Sequence, residues 1–276
     1  DRRDFLKSYK SPDTERTLQQ LALLIGDLIL EKQKSELAMR LGDIYLNVLL
    51  DFPQAAVQYQ KASTLGGVAA DSLVREEAAY KHTIALRRQS ELDSSYAQTA
   101  IIAFTAFLKE YPAGRFSDEA AYNRFLLQTK KAGSGSKIDF AREFLKDRST
   151  SSFAPKVFLA LGNSQKEKGL LNESIETFRQ IAFRFPTQPE ADEATAQLGI
   201  QLAHLGKNDT AAVVLSDYLR AYPRGFFCAE VLYEIGMLSA REEKPLIAAT
   251  SFEQLRTKYF YTMRSVDCIE TLAQCY

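Results

Sequence analysis

Histidine and cysteine, from which metal and nucleophilic sites are often built, are scarce in this chain of 276 residues. Its two histidines, His82 and His204, each lack a second histidine at the spacing of a helical metal-binding pair. The three cysteines, Cys228, Cys268 and Cys275, form no Cys-x-x-Cys pair, and an odd number does not fit a disulfide framework. We therefore expect no metal and no cofactor, structural or partner-facing histidines, and cysteines buried as apolar packing.

Net charge is also absent, because 35 basic residues balance 35 acidic ones. Domains that bind nucleic acid usually carry a surplus of Lys and Arg, so this balance argues against a nucleic-acid partner and against a generic anionic-membrane binder. No run of 18 or more apolar residues occurs, and the longest candidate, 21–30, is interrupted by Gly26 and Asp27. We expect no segment that spans a membrane.

Sequence motifs of catalysis are missing as well. Neither Gly-x-Ser-x-Gly nor His-Glu-x-x-His occurs. Gly133-Ser134-Gly135-Ser136-Lys137 resembles a phosphate-binding loop only superficially, because it lacks the Gly-x-x-x-x-Gly-Lys spacing and follows a helical pattern. We interpret residues 132–136 as a flexible loop, and we predict that the protein is not an enzyme.

What the sequence does contain, almost throughout, is apolar residues at helical spacing, and no long stretch alternates with period two. This pattern predicts an all-α protein. Ser11-Pro12 opens a leading helix at 12–34, which we expect to end within 31–35. Asn172 and Asn208 are candidate N-caps of later helices. We predict a longer helical pair at 69–111, a final helix from near Arg264, and helical hairpins at 36–65, 116–148, 153–185, 188–222 and 226–259.

A repeat of 37 residues connects the later hairpins. Gly162, Gly199 and Gly236 are each preceded by Leu or Ile and lie 37 positions apart. Large apolar residues follow with the same period, and the closing prolines keep it too. The members of these two series are Phe178, Leu215, Phe252, Pro186 and Pro223. A period of this length indicates stacked units of two helices, each contacting its neighbours.

These residues resemble the tetratricopeptide repeat (TPR), in which Leu-Gly-x-x-Tyr is followed by Ala-x-x-x-aromatic-x-x-Ala. Leu41-Gly42, Tyr45 and Tyr59 fit the same pattern. The resemblance implies a right-handed α-solenoid of TPR-like hairpins spanning 1–276, whose work is to bind proteins. Within it we expect a leading helix at 1–35, irregular repeats at 36–115, in-phase repeats at 116–263 and the start of a further, truncated repeat at 264–276.

The resemblance also implies a binding surface. In TPR proteins the concave surface is lined by five positions of the first helix of each hairpin. Three repeats place fifteen residues at these positions. Six of them are not among the contacts that we predict: Leu159, Glu167, Glu193, Ala196, Ala203 and Ala240. Those we expect to contact a protein or peptide are Lys156, Asn163, Lys166, Ile200, His204, Glu230, Tyr233, Met237 and Arg241.

The sequences at the ends of the second helices resemble one subgroup of TPR proteins in particular. Phe185-Pro186 and Tyr222-Pro223 close such helices, and the acidic, Ala-rich segment 190–194 opens the next one. This style is similar to bacterial cell-envelope members, such as the outer-membrane protein assembly lipoprotein and the Tol-Pal coordinator. We therefore expect a periplasmic or envelope location, with a cytoplasmic one as the alternative.

Three functional hypotheses follow. The leading one is a scaffold that binds a peptide or protein segment, within a bacterial envelope complex. The second is a structural segment of a longer solenoid that self-associates through its terminal helix, because the helical pattern is unfinished at Tyr276. An enzyme or small-molecule sensor is the third, and a buried polar pocket with strongly perturbed acids would favour it.

Overall fold

The computed structural model describes residues 31–65 and 72–275, with the side chains of 34–65 and 72–273. All regular structure in these residues is helical and none is strand, so the prediction of an all-α protein is confirmed. The chain divides into two compact units, residues 1–130 and 131–276.

Unit 1 is a series of antiparallel helices in which each packs against the next. One apolar cluster surrounds the buried ring of Tyr59, and a second contains Phe104 and Phe107. The sequence predicted a longer helical pair at 69–111. A helix of 21 residues, α3, and the following helix, α4, confirm this pair within the described residues. The helices are α1 (Glu31–Asn47), α2 (Phe52–Thr64), α3 (Ser72–Leu92), α4 (Ala97–Glu110) and α5 (Ser117–Thr129), with a 3-10 turn at Ser94–Tyr96.

Unit 2 contains three successive hairpins, α7–α8, α9–α10 and α11–α12, which confirm the hairpins predicted at 153–185, 188–222 and 226–259. First helices of neighbouring hairpins also contact each other, α7 with α9 and α9 with α11. The bounds are α6 (Ser134–Arg148), α7 (Ala154–Glu167), α8 (Leu171–Arg184), α9 (Glu190–His204), α10 (Asn208–Ala221), α11 (Cys228–Arg241), α12 (Pro245–Lys258), α13 (Met263–Asp267) and α14 (Ile269–Cys275).

The 37-residue recurrence of glycine and of a large apolar residue comes from one contact. A Cβ atom added to Gly162 would lie 2.6 Å from the ring of Phe178, and one added to Gly199 would lie 2.5 Å from Leu215. Both of these large side chains are fully buried. The glycine thus makes room for the side chain that fills the hairpin, and a larger residue there would force the two helices apart.

The start of each second helix differs from the sequence prediction. Asn172 and Asn208 are not N-caps: Leu170 and Lys207 precede α8 and α10, and neither helix has a side-chain cap. The reason is that the preceding helix ends at a glycine with positive φ, Gly169 or Gly206. A glycine in this left-handed conformation reverses the chain so tightly that the next helix begins two residues later.

Three further boundaries differ. Residues 31–35 do not end a helix, because they contain neither Gly nor Pro, and α1 continues through them to Asn47. The loop expected at 132–136 is shorter, since α6 already begins at Ser134. The terminal helix begins near Arg264 as predicted, but Cys268 separates α13 from α14. Most of the predicted leading helix lies outside the described residues.

Cys228 and Cys268 are buried and free, which confirms their predicted use as core packing. Cys228 lies in a cluster with Leu215 and Tyr218, and Cys268 in a cluster with Phe252. The side chain of Cys275 lies outside the described residues. None of the helices in the described ranges combines the length and the apolar character needed to cross a membrane.

Candidate protein-binding surface

Polar bonds join the first helices of successive hairpins in unit 2. Asn163 Nδ2 of α7 donates to Glu193 Oε1 of α9 over 2.9 Å, and Lys166 Nζ donates to Gln197 Oε1 over 2.9 Å. Asn163 and Lys166 are two of the residues expected to contact a partner. Their polar groups are therefore already used between repeats, and each is half-buried.

The next link is built on Glu230 of α11 and Arg264 of α13. The guanidinium donates two hydrogen bonds, from Nε over 2.8 Å and from Nη2 over 2.5 Å, to the two carboxylate oxygens. It also lies 4.6 Å from the centre of the Tyr233 ring, a cation–π contact. Fork-shaped pairing and ring stacking both fix the plane of the guanidinium, so α13 is held firmly against α11.

Between these links lies a buried acid, Glu234, on α11. Its side chain is 7% exposed, and His204 Nε2 of α9 lies 3.7 Å from Glu234 Oε1. Burial raises the pKa of this carboxyl, and Glu230 raises it further; His204, Arg264 and Arg241 act in the opposite direction. The charged form of Glu234 is thus the one that the fold disfavours.

We predict that Glu234→Gln stabilises the protein at neutral pH. A raised pKa in the folded state means that the folded protein holds this proton to higher pH than the unfolded chain. The free energy of unfolding therefore falls as pH rises through this window. Gln does not ionise, so the variant does not lose stability in this way. The difference in free energy of unfolding between the variant and the natural protein should therefore grow from pH 4.5 to pH 7.5, measured by urea unfolding.

The exposed Glu176 of α8 supplies the control for this prediction. It pairs with Arg179 on the surface, and Glu176→Gln should change stability by less than about 0.5 kcal/mol at both pH values. A Glu234→Gln variant that is no more stable than the natural protein at pH 7.5 would contradict the argument.

The other expected contact residues differ in exposure. Lys156, His204 and Arg241 are exposed, and Tyr233 and Met237 are half-buried on α11. Ile200 does not lie on the surface: it is 7% exposed and packs in the core cluster with Leu215 and Tyr218. A branched apolar side chain at that position is covered because α9 packs against α11, so Ile200 contributes packing.

An open cleft of about 900 Å³ lies beside this row of helices, and its size is in the range of ligand sites. Of the nine predicted residues only Glu230 lines it. Three exposed apolar side chains stand among the lining residues, and Phe226 is the most exposed of them at 88%. The lining consists of Gln197, Pro223, Arg224, Gly225, Phe226, Phe227, Ala229, Glu230, Tyr259, Tyr261, Thr262, Met263, Arg264 and Asp267.

The turn that forms one wall of the cleft is tied to the preceding hairpin. Asp192 Oδ1 accepts a 2.5 Å hydrogen bond from the Tyr218 hydroxyl, and Asp192 Oδ2 accepts from the Phe226 backbone N–H over 3.3 Å. The Tyr218 oxygen in turn accepts from the Phe227 N–H over 3.1 Å. Burial and the Asp192 carboxylate raise the pKa of the Tyr218 phenol, so it stays protonated and keeps donating. A Cβ atom on Gly225 would collide with this arrangement.

The same turn sequence, Tyr-Pro-x-Gly-x-Phe, occurs in unit 1 at 111–116. There Glu76 Oε1 accepts from the Phe116 N–H over 3.0 Å, and the Tyr80 ring stacks on Phe116 with centres 4.6 Å apart. The unit 1 aromatic is thus covered. In unit 2 the sequence has two adjacent aromatics, Phe226 and Phe227, and the first is left exposed.

The histidines have protein neighbours, and no metal cluster forms around them. One ring nitrogen of His82, Nδ1, lies 2.9 Å from the Ala56 carbonyl oxygen, and His204 lies beside Glu234 as described. Within the described ranges, no group of three or more His, Cys, Asp or Glu side chains is arranged to hold a metal ion.

Comparisons with known proteins support the fold. No protein-family model matches the sequence, and no curated protein does either. Among solved structures, the C-terminal part of a TPR repeat-containing protein from Cytophaga hutchinsonii is similar with a TM-score of 0.60 and 11% identity, over 93% of this chain and 96% of that one. PilF of Pseudomonas aeruginosa gives 0.51 and 14%, over 86% and 97%.

A third similar structure is Naa15/Naa10 bound to HypK-THB, with a TM-score of 0.50 and 16% identity, over 95% of this chain and 39% of that one. Identities this low show the fold and nothing finer. The chain therefore has a TPR-like α-solenoid fold, as the sequence predicted.

Proposed function

We propose that this protein is a scaffold that binds a protein segment through unit 2, with the cleft between α9, α11 and α13 as the contact site. The observation that carries the proposal is the exposure of Phe226, Tyr261 and Met263 around an open cleft. Large exposed apolar side chains gathered at one place are typical of interaction sites, because water solvates them poorly.

The turn geometry supports the same proposal. Phe226 donates its backbone N–H to Asp192, so the backbone that carries the ring is fixed before a partner arrives. A contact that is already in place loses less conformational entropy on binding than a mobile one. Tyr233, Met237 and Arg241 continue along α11 from Glu230, and we propose that a longer segment extends over them.

The first test is photo-crosslinking in the source cells. A benzophenone amino acid at position 226 should capture a defined partner, and the same group at position 183 should not. Phe183 is a suitable control because it is 86% exposed in unit 2 but does not line the cleft. Equal capture at both positions, or capture at neither, would contradict the cleft as the binding site.

Affinity capture gives the matching loss-of-function result. We predict that Phe226→Ser/Tyr261→Ser lowers affinity for the crosslinked partner at least about thirtyfold, the size of a binding hot spot. Phe183→Ser/Leu246→Ser replaces two similarly exposed apolar residues outside the cleft and should leave affinity unchanged. Unfolding curves of both variants serve as the check that the fold is intact.

The proposed location is the bacterial envelope, and it rests on the similarity of the helix ends at 185–186 and 222–223 to envelope members of the TPR family. Immunodetection in separated periplasmic, membrane and cytosolic fractions tests it. Recovery only from the cytosol would favour the cytoplasmic alternative.

The division into a leading helix, irregular repeats and in-phase repeats of a single solenoid likewise stays a prediction.

A second candidate function is self-association. Val266 of α13 and Ile269 of α14 are more than half exposed, which favours contact with another copy near the terminal helix. Sedimentation velocity over a wide concentration range tests this hypothesis. A molecule that stays monomeric at the highest concentration would contradict it.

A further inference from the structure

Three of the charged residues that line the cleft are ion-paired with one another, and one is not. Arg264 binds both oxygens of Glu230 and lies 3.5 Å from an oxygen of Asp267, so three of the four charged lining residues form one network. The fourth is Arg224, in the turn that carries Phe226, and it has no ion-pair partner among the described residues.

The amide of Gln197 at the same cleft also has hydrogen-bond donors to spare. The oxygen of the Gln197 amide accepts from Lys166 Nζ over 2.9 Å, which leaves its N–H groups available to donate. The Thr262 hydroxyl already donates to the Tyr259 carbonyl over 2.8 Å. The donors that remain at the cleft are therefore the Arg224 guanidinium and the Gln197 N–H groups, because the Thr262 O–H is already used. Arg264 engages both oxygens of the Glu230 carboxylate and one oxygen of Asp267.

We propose that the protein segment bound at this cleft carries a carboxylate, an Asp or Glu, beside an aromatic or long aliphatic side chain. This inference rests on the proposed function and adds the chemistry of the partner. The apolar side chain packs against Phe226, Tyr261 and Met263, and the carboxylate binds the Arg224 guanidinium, which matches it with two parallel hydrogen bonds.

The same charged lining residues disfavour a basic partner. A Lys or Arg at this place would face Arg224, and like charges at an interface oppose binding. It would also have to compete with Arg264 for Glu230, and Arg264 already pairs with both oxygens while stacking on Tyr233. The one lining charge without an ion-pair partner among the described residues, on Arg224, thus favours an acidic partner over a basic one.

The test uses a biotinylated library of heptapeptides with Phe fixed at the centre and six randomised flanking positions. The library is equilibrated with the full chain, and retained peptides are sequenced in pools. We expect Asp and Glu to be enriched at one or more flanking positions. With Arg224→Glu, the enrichment should pass to Lys and Arg at the same positions.

Affinities come from fluorescence anisotropy with the most enriched labelled peptide. We expect Arg224→Glu to weaken binding about tenfold, which is about 1.4 kcal/mol, and added salt to weaken the natural protein. Arg179→Glu is the matched control, since it makes the same change of charge at an exposed arginine outside the cleft and should leave affinity unchanged.

The outcomes separate the two proposals. Peptides retained by the natural protein and lost in Phe226→Ser/Tyr261→Ser, but without acidic enrichment, would overturn the carboxylate and leave the cleft as the binding site. Equal retention by the natural protein and that double variant would overturn both. An acidic preference that survives Arg224→Glu would overturn the assignment to Arg224.

Discussion

Replacing Phe178 by Ala is expected to lower the free energy of unfolding by about 3–5 kcal/mol, the usual cost of emptying a buried aromatic site. Phe178 is fully buried and fills the space that Gly162 leaves between α7 and α8. The helices cannot close the resulting cavity, because their separation is also set by α6, which packs on α7, and by α9, which packs on α8. Urea unfolding followed by far-ultraviolet circular dichroism measures the loss.

The control lies on the same helix. Phe183 is five residues further along α8 and 86% exposed, so Phe183→Ala should change the free energy of unfolding by no more than about 0.5 kcal/mol. Both variants delete the same atoms from the same helix, and only burial differs. A similar effect of the two substitutions would show that the hairpin core is not packed as described.

Replacing Asp192 by Ala is expected to cost about 1.5–3 kcal/mol, because hydrogen bonds to a charged group are stronger than neutral ones. The carboxylate accepts from the buried Tyr218 hydroxyl and from the Phe226 N–H, and both donors would lose their partner. The turn that carries Phe226 would also lose its tie to α9, so peptide binding at the cleft should weaken in the same variant.

A double-mutant cycle isolates this bond. Asp192→Ala, Tyr218→Phe and the double variant are compared, and a coupling of about 1 kcal/mol or more is expected for residues in one network. Asp217→Ala is the control, since Asp217 pairs with Arg220 only on the surface of α10 and should contribute within about 0.5 kcal/mol. Additive single effects of Asp192 and Tyr218 would contradict the network.

The fold was accessible from the sequence because its determinants are local and periodic. Gly162, Gly199 and Gly236 recur with Phe178, Leu215 and Phe252 at the same interval, and both series describe one helix–helix contact repeated three times. Helix ends were harder to place. The asparagines at 172 and 208 have the chemistry of caps, but the preceding glycines already determine where the next helix starts.

The candidate site was only partly accessible. Family positions predict contacts along α7, α9 and α11, and those contacts stay a prediction. The family positions do not say whether an isoleucine at such a position is covered, and Ile200 is. They also do not reveal that Asn163 and Lys166 bond to the next repeat, since the partners are about 30 residues away. Much of the cleft lining lies in the turns at 223–227 and 259–262, and Glu230 is the one predicted contact residue within it. One local signal could have found it: Phe226 and Phe227 are adjacent, and the core holds only one of them.

The bonds between first helices have a consequence for the order of the repeats. Asn163 and Lys166 of α7 bond to Glu193 and Gln197 of α9, and Glu230 of α11 bonds to Arg264 of α13, so these two junctions use different donor groups. The hairpins share one backbone design, yet Glu193 and the equivalent Glu230, 37 residues later, bond to different residues in opposite directions along the row. Exchanging two hairpins would keep the repeated glycine contacts within each hairpin and mismatch these polar pairs, so the pairs favour the natural order of the hairpins.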